Sequence, residues 1–100
     1  MAWITIWEFT VPPANASAFE AAYGPAGDWA RLFLGQSGYL GTRLLKDLSE
    51  PTRYVTFDSW TSEERFDEFL SRHADAYREL DRVTEGLATE ERHLGSLKVD

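Results

Sequence analysis

Three segments of the chain alternate apolar and polar residues and are rich in β-branched and aromatic side chains. They read WITIWEFT (residues 3–10), YLGTRLLKD (39–47) and RYVTFDSW (53–60). Only the turn LSEPT separates the second segment from the third, which predicts an antiparallel hairpin. A weaker segment, LATEERHLGSLKV (87–99), predicts a fourth strand.

A helical pattern lies between the first and second predicted strands. Its apolar residues recur at steps of three and four, at Phe19, Ala22, Ala26, Trp29 and Phe33. This spacing predicts a helix with one face toward the sheet. Pro25 removes a backbone hydrogen bond within the pattern, so we expect the helix to kink or split near Gly24-Pro25. We expect Gly24 to adopt the left-handed conformation that ends the first part.

A second helix follows the third predicted strand. TSEE (61–64) has the pattern of a capping box, with Thr61 as the N-cap. One apolar stripe then predicts a continuous amphipathic helix through Phe66, Phe69, Leu70, His73, Tyr77 and Leu80.

The order of elements is therefore β-α-β-β-α-β. This order is typical of the α+β ferredoxin-like fold, a four-stranded antiparallel sheet with two helices on one face. We expect residues 1–100 to form one domain.

The strand alternation separates two sets of side chains. We expect the aliphatic set to pack under the helices, at Ile4, Ile6, Leu40, Leu44, Val55 and Phe57. The aromatic set would then lie on the uncovered face, at Trp3, Trp7, Phe9, Tyr39, Arg43, Leu45, Tyr54, Asp58 and Trp60. So large an apolar face needs a cover. A second copy of the chain would provide one, in a homodimer whose two sheets form an α/β barrel.

The composition excludes several classes of function. The formal net charge is −7 in 100 residues, which disfavours binding to nucleic acid or anionic membranes. The chain has no cysteine, and its two histidines lack metal-ligand spacing, so we expect no thiol chemistry and no metal site. The N-terminus lacks the pattern of a signal peptide, which predicts a cytoplasmic location.

A family resemblance rests on residues 54–69. DSWTSEERFDEF (58–69) resembles the acid-x-Trp-x-Ser-x-Glu segment of the antibiotic biosynthesis monooxygenase (ABM) group in the dimeric α/β-barrel superfamily, and EFTV (8–11) is a weaker match. The resemblance implies a ferredoxin-like dimer. Some relatives oxidise polycyclic aromatic substrates with oxygen and without a cofactor, and others degrade haem.

The resemblance also implies roles for individual residues. Trp60 matches a tryptophan that lines the cavity in several relatives, and Asp58 holds the acidic position two residues earlier. His73 resembles a histidine on the second helix of some members. Haem-degrading relatives carry an asparagine on the first strand, where this chain has Trp7 and Glu8, so haem degradation is disfavoured.

The candidate catalytic residues are His73, Asp58 and Arg43. His73 is either a core histidine or a general base for a phenolic substrate. Arg43 and Asp58 fall in the same phase, and we expect them to pair, either within a dimer interface or as polar groups of a ligand site. His93 is interpreted as a surface residue.

The candidate substrate-binding residues are aromatic side chains that serve either a cavity or the core: Trp7, Tyr23, Trp29, Tyr54, Trp60 and Tyr77. Three functions remain open at this point. The first is a cofactor-independent monooxygenase for an aromatic or polyketide-like molecule. The second is a non-catalytic dimer that binds a small molecule or acts in a stress response. The third is a structural dimer whose barrel is filled by side chains. No cofactor is expected.

Overall fold

A computed structural model describes residues 2–100. Its elements are β1 (Ala2–Thr10), α1 (Ala16–Tyr23), α2 (Asp28–Phe33), β2 (Tyr39–Lys46), β3 (Arg53–Trp60), α3 (Glu63–Arg72), α4 (Ala74–Thr84) and β4 (Glu90–Val99), with 3₁₀ turns at Pro13–Asn15 and Glu85–Leu87. The strands form one antiparallel sheet in the order β2-β3-β1-β4, and the helices pack on one face of it. The predicted ferredoxin-like α+β fold is confirmed. No helix within residues 2–100 has the length and apolarity needed to span a membrane.

The first helix is split at the predicted position. α1 ends at Tyr23 and α2 begins at Asp28. The prediction for Gly24 is wrong, because its backbone is extended, with φ −72° and ψ 173°. Glycine is required here by close approach instead: a Cβ at Gly24 would lie 2.8 Å from the Glu20 carbonyl oxygen, and one at Gly27 would lie 2.4 Å from that of Ala21.

The second predicted helix is divided into α3 and α4 at His73. The backbone there has φ −124° and ψ 31°, so the expectation of one continuous helix is wrong. The N-cap is Ser62, not Thr61, and the Ser62 hydroxyl accepts from the backbone N–H of Arg65. The apolar stripe nevertheless stays in phase, since the rings of Phe69 and Tyr77 lie 6.4 Å apart on either side of the break.

On β1 and β3 the two faces are the reverse of those predicted, whereas on β2 Leu44 packs toward the helices and Arg43 and Leu45 lie on the uncovered face, as predicted. The aromatic residues of the second set pack under the helices, where Phe9, Tyr54 and Trp60 are buried. Strand alternation distinguishes two faces but does not state which one the helices cover. The helices themselves contribute large rings at Phe19, Tyr23, Trp29, Phe33 and Phe69, and burying rings against rings removes the most apolar area from water.

A bulge in β2 separates Arg43 from Asp58. Tyr39 pairs with Trp60 and Gly41 with Ser59, so Leu40 is an extra residue in β2. Thr42 is therefore opposite Asp58, and Arg43 is exposed on the far side of the sheet, opposite Phe57. The predicted Arg43–Asp58 pair is wrong, because the extra residue changes the phase of the strand.

The side of the sheet away from the helices is aliphatic, and we call it the outer face. It carries Ile4, Ile6, Leu45, Val55, Phe57, Leu97 and Val99. Of these, Leu45, Leu97 and Val99 are between 42% and 54% exposed. The face that lacks a cover in one chain is thus mainly aliphatic, with Phe57 as an aromatic member.

Candidate active site

A cavity of about 160 Å³ lies between the sheet and the helices α1 to α4. It is lined by Thr5, Trp7, Phe9, Tyr23, Trp29, Phe33, Thr42, Thr56, Asp58, Phe66, Tyr77, Asp81 and Glu91. Most of these side chains are aromatic or small and polar. This is the usual composition of a small-molecule site, in which few polar groups converge in an apolar pocket.

A polar row crosses the base of this cavity. Thr42, Asp58 and Thr5 are direct neighbours on β2, β3 and β1, because the strand register aligns them. Thr5 and Thr42 are buried. Thr42 bonds to Asp58 and Thr5 bonds to His93, so the row is hydrogen-bonded, and it presents polar groups to an aromatic cavity as a small-molecule site does.

Asp58 is the titratable group at the centre of this row. Its Oδ1 accepts a hydrogen bond of 2.7 Å from the Thr42 hydroxyl, whose oxygen lies 2.6 Å from the Tyr39 hydroxyl. Because Thr42 donates its only proton to Asp58, Tyr39 donates to Thr42. Burial raises the pKa of Asp58 to about 6, and the bond from Thr42 opposes that rise. A carboxylate with this pKa is ionised near neutral pH yet basic enough to accept a proton.

An aromatic wall, formed by Trp7, Tyr23, Trp29 and Tyr77, surrounds the polar row. The Tyr23 hydroxyl and the Trp29 Nε1–H both donate to Thr84 Oγ1, at 3.2 and 3.3 Å. Thr84 donates in turn to the Leu80 carbonyl, at 2.9 Å, so one buried hydroxyl fixes two rings of the wall. Burial, followed by the nearby Asp81 and Asp58 carboxylates, raises the pKa of Tyr77 to about 12. Tyr77 therefore remains a hydrogen-bond donor and does not act as a base.

The open side of the cavity carries two carboxylates. Asp81 is half-buried on α4, and Glu91 is exposed on β4, where it pairs with Phe9 of β1. Burial raises the pKa of Glu91, and repulsion from Asp81 and Glu85 raises it further. No group of three or more potential metal ligands occurs in the part of the chain that the structure describes.

His93 contacts the cavity from β4. It is exposed, as its interpretation as a surface residue requires, but its Nε2 lies 2.9 Å from Thr5 Oγ1. Its ring lies 4.7 Å from that of Trp7. Both partners line the cavity, and only the pairing of β4 with β1 reveals this proximity.

The structure brings together five of the nine candidate residues from the sequence, namely Trp7, Tyr23, Trp29, Asp58 and Tyr77. The other four lie elsewhere. Tyr54 and Trp60 are core residues with 1% and 0% exposure, and Tyr54 donates its hydroxyl proton to Glu20. Arg43 lies on the outer face. His73 lies between α3 and α4, with its ring 5.4 Å from that of Phe69.

Sequence reasoning also missed several residues of the site, which are Thr5, Thr42, Thr56, Phe66, Asp81, Thr84 and Glu91. For the threonines a signal exists. Thr5 and Thr56 interrupt two aromatic rows at alternate positions, as residues of the helix-covered face do. Asp81 and Glu91 carry no such signal, because charged residues are common on exposed helices and edge strands.

Comparison with known proteins agrees with this architecture. The family model for antibiotic biosynthesis monooxygenases matches residues 3–80. Among solved structures, a mutant of SnoaB, a cofactor-independent oxygenase from Streptomyces nogalater, is 24% identical. Its TM-score is 0.75, and the match covers 98% of this chain and 92% of that one.

Two further structures resemble the chain at lower identity. A candidate antibiotic biosynthesis monooxygenase from Deinococcus radiodurans is 13% identical with a TM-score of 0.77, covering 98% of this chain and 92% of that one. A conserved protein from Methanosarcina mazei Go1 is 14% identical with a TM-score of 0.74, covering 100% and 94%. No curated protein shows significant similarity. The family match extends over most of the chain, and the protein therefore belongs to the antibiotic biosynthesis monooxygenase family.

Proposed function

We propose that this protein is a cofactor-independent monooxygenase that oxidises an aromatic or polyketide-like small molecule, with Asp58 as its general base. The observation that carries the proposal is the position of Asp58, a carboxylate of raised pKa at the base of an aromatic cavity. The family membership and the likeness to SnoaB, itself a cofactor-independent oxygenase, support it.

The chemistry starts with proton transfer from a phenol to the Asp58 carboxylate. The resulting phenolate gives one electron to dioxygen, and the substrate radical and superoxide then combine into a C–O bond at a ring carbon. Asp58 returns its proton to the peroxide, which loses water. The overall change is phenol plus dioxygen to quinone plus water, with one oxygen atom entering the product.

The protein contributes the base and an environment that excludes water. The aromatic wall makes that environment weakly polar, which strengthens the interaction between Asp58 and an acidic hydroxyl. Tyr77 adds a hydroxyl that stays protonated. No side chain in this scheme needs to change its oxidation state.

The size of the cavity suggests how the substrate lies. A closed apolar cavity of about 150 Å³ accommodates one benzene ring. The volume of about 160 Å³ therefore fits one ring beside Asp58, with any further rings extending past Asp81 and Glu91.

Oxidation of 1-naphthol and anthrone tests this proposal, with oxygen uptake and quinone absorbance as the readouts. We expect Asp58→Asn to lower the rate at least about 100-fold, as loss of a general base does. Asp67→Asn removes an exposed carboxylate of α3 and serves as the matched control. Equal rates in wild type and Asp58→Asn would refute the proposed role. Binding of both probes without oxidation would favour the non-catalytic binding protein instead.

The proposal includes a homodimer formed through the outer face. Members of this family are generally dimeric, and the exposed leucine and valine side chains of this face would be covered by a second copy. Light scattering after gel filtration should give twice the chain mass of 11.4 kDa. Leu97→Asp should shift the protein toward the monomer, whereas Leu48→Asp, in an exposed turn, should not. A wild-type monomer would contradict this part of the proposal.

A further inference from the structure

The charges that line the cavity have one sign. Asp58 on β3, Asp81 on α4 and Glu91 on β4 all line it, and Glu91 is exposed to solvent. Within residues 2–100, the lining includes neither lysine nor arginine. An anionic ligand would therefore face repulsion from three carboxylates without a compensating cation.

The neighbouring arginines are engaged away from the cavity. On α4, Arg78 pairs with Asp75 and Arg82 with Glu79, all at exposed positions. On β4, Arg92 directs its guanidinium to Glu8 on the outer face, at 2.9 Å. The basic side chain that does contact the lining is His93, through Thr5 and Trp7.

The rings of the aromatic wall favour the same sign of ligand charge. The faces of tryptophan and tyrosine rings attract an ammonium group, and tryptophan attracts it most strongly. Trp29 lies edge-to-face with Tyr77, at 4.9 Å between ring centroids. Asp81 lies one helical turn beyond Tyr77 on α4, so both aromatic rings are on the same side of the cavity as this carboxylate. Repulsion between Asp81 and Glu91 would be relieved by a cation placed between them.

We infer that the cavity selects a substrate with a protonated amino group attached to its aromatic ring system, the ammonium lying at Asp81 and Glu91 while the ring lies beside Asp58. This inference rests on the proposed function and adds the substrate class. It also explains how an acidic cavity tolerates the phenolate that Asp58 creates. The ammonium group of the substrate balances the negative charge of the phenolate, and none of the lining side chains among residues 2–100 does so.

Three phenols with short para side chains of different charge test the inference: tyramine is cationic, 4-propylphenol neutral and 3-(4-hydroxyphenyl)propionate anionic. Their dissociation constants are measured by isothermal titration calorimetry on the whole protein. We expect tyramine to bind about tenfold more tightly than 4-propylphenol, and the anion to bind most weakly. Equal affinities, tighter binding of the anion or no binding of tyramine would overturn the inference.

Two variants locate the charge preference. Asp81→Asn combined with Glu91→Gln should reduce the preference for tyramine over 4-propylphenol to about threefold or less. Asp75→Asn, which removes a fully exposed carboxylate of the same helix, should keep the tenfold preference. An unchanged preference in the double variant would contradict the assignment of these residues.

Failure here is distinguishable from failure of the proposed function. If 1-naphthol is oxidised in an Asp58-dependent manner but tyramine binds no better than 4-propylphenol, the monooxygenase stands and the substrate class is wrong. If oxidation does not depend on Asp58, the proposed function fails whatever the charge preference.

Discussion

Replacing Asp58 by asparagine should stabilise the protein while it removes the proposed base. The carboxyl group has a pKa of about 6 in the folded chain, against 3.8 for the same group unperturbed. It therefore binds its proton more tightly when folded. Below about pH 4 it is protonated in both states and costs nothing; as the pH rises through about 6, the stability that the protonated form provides is lost.

The magnitude follows from the difference in pKa. A rise from 3.8 to about 6, at about 1.4 kcal/mol per pKa unit, gives a cost of about 3 kcal/mol at neutral pH. Asparagine has the same shape and no charge, and its carbonyl can accept the proton of Thr42. We therefore expect Asp58→Asn to raise the free energy of unfolding by about 2–3 kcal/mol near pH 7 and by almost nothing near about pH 3.5.

Urea denaturation at both pH values measures this difference. With a slope of about 1 kcal/mol per molar urea, the midpoint near pH 7 should move up by about 2–3 M. Asp67→Asn, on the exposed side of α3, should stay within about 0.5 kcal/mol of wild type at both pH values. A destabilised Asp58→Asn protein, or a difference that does not change with pH, would refute the reasoning that burial raises the pKa of this group.

Three further variants test the surroundings of the site. Thr42→Val removes a hydrogen bond to the Asp58 carboxylate and should raise the pKa of Asp58 by about one unit. A ¹³C titration of the Asp58 carboxyl group measures this pKa, and an unchanged value would contradict the prediction. Thr84→Val keeps the side-chain shape but leaves the Tyr23 hydroxyl and the Trp29 Nε1–H without an acceptor. Urea denaturation should therefore show a free energy of unfolding lower by about 1–3 kcal/mol, and an unchanged midpoint would contradict this prediction. Gly27→Ala places a Cβ against the Ala21 carbonyl and should lower the melting temperature, whereas a higher one would show that the backbone there accepts alanine.

The order of elements was predictable because it depends on local signals. Alternation, capping residues and the Gly24-Pro25 interruption act within a few positions of the chain, and they gave the ferredoxin-like topology and the split first helix. The details of backbone geometry were less accessible. Gly24 is extended and the second helix divides at His73, since both depend on how neighbouring turns pack and not on propensity alone.

The candidate site was predicted only in part, because its assembly depends on strand register. Asp58 and Trp7 line the cavity because they belong to the set of alternate strand positions that the sequence identified. Arg43 was assigned to the same set, but the extra residue at Leu40 places it on the opposite face of the sheet. The alternation of apolar and polar residues in β2 is already irregular, so it does not reveal a one-residue insertion. Glu91 joined the site through pairing with β1 at a distance of more than 80 residues along the chain, which local patterns do not encode.

The pH dependence of kcat/KM for 1-naphthol oxidation tests the role of Asp58 most directly. If Asp58 is the base, kcat/KM should rise with pH to a plateau, with an inflection near the pKa of about 6. This inflection should move upward in Thr42→Val and be absent from the residual activity of Asp58→Asn. An inflection that is the same in wild type and Asp58→Asn would contradict the account, because another group would then accept the proton.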